Sequence, residues 1–355
     1  MHPSSGRSIV VVLALLWTLG QGAAARARQA EGIALGGGSV LAFAEVAEGA
    51  ALLGAEDDYT RHASPFDRQA KVRSGGPVSD EEFRAFAARA VIPWSDAERD
   101  AVAGAAARLA PRLEALGVPV PPRVVLVKTS GDEEGNAAYT RGTAIMLPRR
   151  MLAGGAAALD RLLCHELFHV VSRSEPGLRR RLYATIGFEP CGDVLLPPDL
   201  RGLRLTNPDA PAFDHAIRVA CDGQRRWMVP VLFASGPYDA KGGKPFFASM
   251  VFRLMAVERR EEPDGSVSAV PWLDDGGRPL LRSPDEVAGF FEQTGRNTSY
   301  LIHPEEIMAD NFVHLVVGPP KPGVPLPTPA VVERMERIFA GSAEAAPEPA
   351  TPSVD

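Results

Sequence analysis

His165-Glu166-Leu167-Phe168-His169 is the stretch on which the reading of this chain turns. Leu162, Leu163, Leu167, Val170 and Val171 surround it with apolar residues, and no Pro or Gly interrupts residues 156–173, so the segment reads as the middle of a helix. Two histidines four positions apart on a helix share one face, one turn apart, and both imidazoles can reach one ion. Glu166 lies beside the first of them, where a carboxylate can take a proton from a metal-activated water. The bland alternative is a helix with two surface or core histidines. The unbroken apolar context weighs against it.

Such a site needs a third protein ligand. No His follows three turns on, because Glu175-Pro176-Gly177 stands there. The better source is His303-Pro304-Glu305-Glu306-Ile307-Met308-Ala309-Asp310. Pro304 suits the first position of a helix. Glu306 and Asp310 are four apart and share a face, so Glu306 can bind a metal while Asp310 accepts the free ring N–H of a ligand histidine. Acids favour helix starts through the dipole alone, so a Pro-Glu-Glu start taken by itself would be structural. The histidine pair upstream turns the balance to ligation. Glu305 is the weaker choice, having no acid four residues on.

His165-Glu166-x-x-His169 with Glu306-x-x-x-Asp310 resembles the gluzincin branch of the zincin metallopeptidases. The resemblance implies one Zn2+ held by His165, His169 and Glu306, with Glu166 as general base and Asp310 supporting a ligand histidine. It implies a peptide or protein substrate. It also implies an extended segment before the motif that pairs with substrate, and Asn136-Ala137-Ala138-Tyr139 is similar to that segment. The fold expected is α+β and zincin-like: a small mixed or antiparallel sheet packed on the motif helix, then a mainly helical C-terminal part. Residues that would stabilise an oxyanion have no motif. Tyr300 and His303 are the first candidates, followed by His314, His215, Arg218 and Tyr238, each of which is individually commoner as a packing or surface residue. Thr206-Asn207-Pro208-Asp209-Ala210-Pro211 resembles stretches in uncharacterised bacterial secreted proteins, without naming an activity. Two other functions fit the same motifs: an inactive zincin-like binding or scaffold protein, and an amidase acting on a cell-wall component.

Around this nucleus the 355 residues carry 38 Lys and Arg against 44 Asp and Glu, a net charge of −6, which gives no reason to expect a nucleic-acid partner. Arg7, the apolar run Ile9 to Leu19 and the Ala-x-Ala sites ending at Ala25 and Ala27 read as a cleaved secretory signal over residues 1–27, hence export to a periplasmic or extracellular space. The run is short for a membrane anchor, and no later stretch is apolar enough to span. Residues 28–78 lack a sustained period and read as a leader or linker, partly disordered. Capping boxes at Ser79-Asp80-Glu81-Glu82 and Ser95-Asp96-Ala97-Glu98 start two helices. Residues 123–129 read as a strand and 137–147 as a second extended stretch. Residues 190–211 carry five prolines and read as a long ordered loop or a set of turns, and a loop this long is often functional. Strands are expected at 228–234, 246–258 and 266–270, and helices at 283–294, 304–316 and 330–339. A metal-binding domain over 79–340 and a disordered tail over 341–355 complete the division. Cys191 and Cys221 are either a disulfide pair or two separate thiols, and Cys164 is a buried packing residue.

Overall fold

A computed structural model describes residues 32–242, 246–321 and 323–341. The expected signal segment over residues 1–27 and all but the first residue of the expected tail lie outside these residues. The fold is α+β, with two sheets and, among the described residues, eight helices of eight or more residues.

The first sheet holds β1 (Ile33–Gly36), β2 (Ser39–Phe43), β3 (Arg123–Thr129), β4 (Tyr139–Arg141) and β5 (Ala144–Pro148) in the order β1-β2-β3-β5-β4. It is mixed: β2, β3 and β5 run parallel, and β1 and β4 are antiparallel edges. The apolar run of β3 is buried on both faces, as strands covered on two sides are. Val124 and Leu126 meet the core of the motif helix, while Val125 and Val127 join Leu53, Ala87 and Val91 on the other face.

The helices over these faces are α1 (Val46–Gly54), α2 (Pro65–Val72), α3 (Asp80–Arg89), α4 (Asp96–Ala115) and α5 (Ala156–Ser174). Both expected capping boxes are formed, at Ser79 and Ser95. Helix α5 is the motif helix. It packs between the sheet, α4, the following helix α6 (Pro176–Ala184) and α7 (Pro304–Val316), and α8 (Pro329–Phe339) closes over α7.

The second sheet is antiparallel, with β6 (Phe188–Pro190), β7 (His215–Cys221), β8 (Gln224–Ala234), β9 (Met250–Glu261) and β10 (Val267–Pro271) in sequence, and β11 (Leu281–Arg282) also on β9. Its faces alternate. Ile217, Val219, Met228 and Leu254 enter the main core, and Val229, Val231, Phe233 and Met255 build a second one with Cys191 and Val194.

Several expectations need correction. From Ile33 onward the supposed leader is integral: it gives β1, β2, α1 and α2, and buries Leu35, Leu41, Leu53, Tyr59 and Phe66. Its elements are too short to show a period. Residues 137–147 form no single extended stretch but fold back at Gly142, whose φ of 59° suits glycine, into the β4–β5 hairpin. The helix expected from Ser283 is one 3-10 turn, Pro284–Glu286, then a separate one-turn helix, Phe290–Thr294. Between them Ala288 pairs with Ala220 of β7 instead. The strands expected between 228 and 270 belong to a larger sheet that includes His215–Cys221, which pattern reading missed. Cys164, Cys191 and Cys221 are all free and buried, so no Cys191–Cys221 disulfide is formed.

Candidate metal centre

Helices α5 and α7 lie side by side and bring two sequence-distant motifs together. His165, Glu166 and His169 project from α5, and Glu305, Glu306 and Asp310 from the first turns of α7. Acidic residues suit that helix start because the unpaired N–H groups there carry partial positive charge.

Each histidine is held by one nitrogen and offers the other. His165 Nδ1 is 3.1 Å from Asp310 Oδ1, and His169 Nδ1 is 2.9 Å from Glu305 Oε1. With Nδ1–H donating to a carboxylate, Nε2 of a neutral imidazole carries a lone pair. Both Nε2 atoms face one oxygen, Glu306 Oε2, at 3.2 Å from His165 and 3.6 Å from His169. Facing acceptors need a positive charge between them, either a metal ion or, without one, the proton of an imidazolium, for which His165 Nε2 and Glu306 Oε2 are at hydrogen-bond distance. Four ligands with bonds of about 2.0–2.1 Å in a tetrahedron lie ~3.3 Å apart, so these separations suit a tetrahedral metal. His169 Nε2 is buried without a hydrogen-bond partner, the state of a ligand atom reserved for a metal. His165, His169 and Glu306 therefore fit a metal ion.

The surroundings are built to support this set. Asn207 Nδ2 donates to Glu306 Oε1 at 2.6 Å, leaving Oε2 to the imidazoles. Glu305 Oε2 accepts hydrogen bonds from Ser172 and the Tyr183 hydroxyl, and Asp310 Oδ2 accepts one from Thr298. Glu166 is buried, with Oε2 unpartnered. Burial, with the nearby Asp209 carboxylate, pushes its carboxyl up to about 8. For His169, burial disfavours charge, but the Asp209 and Glu306 carboxylates and the Glu305 hydrogen bond raise it to about 9. Five carboxylates (Glu166, Asp209, Glu305, Glu306 and Asp310) thus surround two imidazoles, a shell that calls for added positive charge.

The cleft beside this cluster has a volume of about 530 Å³ and is lined by Ala137, Ala138, His165, Glu166, Asp209 and Tyr300 among others. The Tyr300 ring stacks on His165, with centroids 6.3 Å apart. The negative charge of Glu306, with burial, raises its hydroxyl far above the ordinary tyrosine value. Of the four residues expected along a substrate edge, Ala137 and Ala138 line the cleft. Tyr139 is buried in the core beneath the sheet, and Asn136, at φ 66°, closes the turn on Gly131.

His303 is not at this cleft. It caps α7: its Nδ1 accepts the Glu305 backbone N–H at 3.1 Å. It lines a neighbouring cavity of about 410 Å³ together with Asp214 and His215. These three also lie close enough to suggest a metal group. The hydrogen bonds argue against one. A ring whose Nδ1 accepts a hydrogen bond carries its proton on Nε2, so His303 Nε2 has no lone pair for a metal, although it too is buried without a hydrogen-bond partner, 3.9 Å from Asp214 Oδ1. His215, like His165 and His169, has its Nδ1 on a carboxylate, Asp214 at 2.6 Å, so the two groups differ at His303. The remaining candidates sit elsewhere: His314 contacts Arg161 and the Asn297 carbonyl, Arg218 lies over Trp227, and Tyr238 packs on Phe66.

Sequence reasoning missed Asn207 and Asp209, although they sit in the Pro-rich loop marked as functional. It also passed over Glu305, whose histidine lies across the helix interface rather than four residues along the same helix.

Residues 125–177 match the family model described as the eCIS core domain. The match covers β3 to the start of α6, including His165, Glu166 and His169, and ends before Asn207, Asp209 and α7. It is compatible with a zincin-like core. No curated protein and no solved structure matches the chain.

Proposed function

We propose that this protein is an exported zinc metallopeptidase that hydrolyses peptide bonds. One observation carries the reading: two imidazole Nε2 atoms and one Glu306 oxygen converge, with the unpartnered Glu166 carboxylate beside them. A donor set of two nitrogens and one carboxylate, with an open position on a cleft, is that of catalytic zinc. Export rests on the apolar run and Ala-x-Ala sites near the start of the chain.

A bound Zn2+ would supply Lewis acidity, lowering the pKa of a coordinated water and polarising a carbonyl. The residues do the rest. Glu305 and Asp310 fix the tautomers of His169 and His165, and Asn207 holds Glu306 to a single facing oxygen. Glu166 takes the proton of the attacking water and passes it to the leaving amine, so its carboxylate is restored at the end of the cycle. Burial beside Asp209 favours its protonated form, and the positive charge of a bound zinc would favour the carboxylate that accepts the proton. Ala137 and Ala138 offer backbone to an extended peptide. Tyr300, stacked on His165 and kept protonated, is the side chain of the cleft suited to donate a hydrogen bond to a developing oxyanion.

The test is Glu166→Gln. Zinc content, measured by atomic emission, stays at one ion per chain, while peptide hydrolysis falls by about 10²–10⁴. Turnover at the parent rate in a zinc-replete variant rejects the mechanism.

A further inference from the structure

Strand β4 is the edge of the first sheet next to the cleft, and one of its outward amides is already taken. Thr140 N and Thr140 Oγ1 both donate to Asp209 Oδ1, at 2.7 and 2.6 Å. Arg173 locks the arrangement, bonding Thr140 Oγ1 and Gly142 O at 2.9 Å each and the Asp209 carbonyl at 3.1 Å. Asp209 lines both the cleft and the cavity beyond it, so it forms the partition between them. A carboxylate oxygen of Asp209 also lies within 4.8 Å of ligand atoms of Glu166 and His169.

A peptide that adds to a sheet edge pairs through its backbone. Here such a peptide pairs near Ala138 and must stop where Asp209 occupies Thr140. The substrate therefore has a chain end close to the metal ligands. Charge decides which end. A carboxyl terminus would meet the Asp209 carboxylate in a shell already rich in acids, whereas an α-ammonium group would pair with it. Direction agrees: a peptide running antiparallel to β4, as β5 does on the other edge, has its amino terminus at the Thr140 end.

We propose that Asp209 anchors the free α-amino group of the substrate, restricting the enzyme to removal of residues from peptide amino termini. This rests on the peptide-hydrolysis reading above. Both Thr140 donors use Oδ1, so the other oxygen remains for the ammonium group. The partition excludes any residue preceding that group.

The experiment uses the zinc-loaded full chain and a random hexapeptide library, with free or acetylated amino termini, read by mass spectrometry. Wild type releases products from the free-amino library about 100-fold faster. Asp209→Asn, which can still accept from Thr140, brings the two rates within about threefold of each other. Equal cleavage of both libraries by wild type, or an equal loss on both in Asp209→Asn, overturns the proposal and leaves the peptidase reading standing. A second arm separates the two further. Zinc-loaded Glu166→Gln protein is mixed with both libraries and the retained peptides are identified. Retention of free-amino peptides alone, lost in the Glu166→Gln, Asp209→Asn double variant, upholds the anchor even where wild type hydrolyses nothing. Retention of both kinds alike, or of neither, overturns it.

Discussion

Two clusters of histidine and carboxylate stand on either side of Asp209, and only one has its ring protons arranged to suit a metal ion. His165, His169 and Glu306 resemble Asp214, His215 and His303 in composition and spacing. What separates them is where the ring protons go. In the first, carboxylates accept from both Nδ1 atoms and free both Nε2 lone pairs. In the second, the N–H of Glu305 donates to His303 Nδ1 and forces the proton onto Nε2. Metal competence thus depends on the neighbours one bond away from the ligands, and proximity alone does not predict it.

Breaking each cluster in turn gives the largest contrast. His165→Ala, His169→Ala and Glu306→Ala each remove one of three protein ligands and are expected to abolish stoichiometric zinc retention after dialysis, whereas His215→Ala and His303→Ala keep one zinc. Metal analysis of the five purified variants decides the matter. Loss of zinc from His303→Ala, with its helix content unchanged by circular dichroism, would reverse the assignment of the two clusters.

The second cluster should instead report on pH. Burial, only partly offset by Asp214, holds His303 down to about 4. The unfolded chain protonates this group near 6.5, so between about 6.5 and 4 the unfolded state binds more protons than the folded one. Stability from a neutral His303 is full above pH 6.5 and is lost as pH falls through 4, an effect of up to about 3 kcal/mol. Urea melts of apo protein at pH 4.5 and 7 measure it. His303→Gln is expected to lose less stability than wild type on going from pH 7 to 4.5, and an identical loss in both would remove His303 as the cause.

The contrast also explains what could be read from residue order. The His165–Glu166–His169 set was legible because two histidines four apart share a helical face by geometry alone, with Glu166 next to the first. Glu306 and Asp310 were legible for the same reason. Asp209 and Asn207 were not, because a loop has no period to mark which side chain faces inward. Glu305 was set aside by a rule that looks four residues along one helix, whereas its partner His169 lies on another. The fold shows the same division. The long helices and the apolar β3 announced themselves, but β7 begins with His215 and carries Arg218, and β1 and β2 are four and five residues long. β2 is fixed by pairing with a distant partner, Leu41 with Val124, which no local pattern encodes, whereas β7 joins β8 through the two-residue turn Asp222-Gly223, a local hairpin signal that the reading passed over.

Glu305 offers the finest test, since it touches both clusters. Its side chain orients His169 of the first, and its backbone N–H sets the tautomer of His303 in the second. Glu305→Gln leaves the backbone bond intact and changes only the side chain. The amide oxygen can still accept from His169 Nδ1–H, but as a neutral and weaker acceptor, while the NH2 now facing Ser172 and Tyr183 donates, so those hydroxyls must accept from it or turn away. Removing such a supporting carboxylate weakens metal binding by about 10–100-fold without removing a ligand. Competition with a zinc-chelating dye measures the change. The expected result is weaker zinc binding with His303 keeping its tautomer, so the pH 4.5 to 7 stability difference persists and grows slightly, because the Glu305 charge no longer raises the His303 pKa. Zinc affinity equal to wild type would mean that His169 is oriented by packing alone, and the distinction between the clusters would then rest on Asp310 and His165.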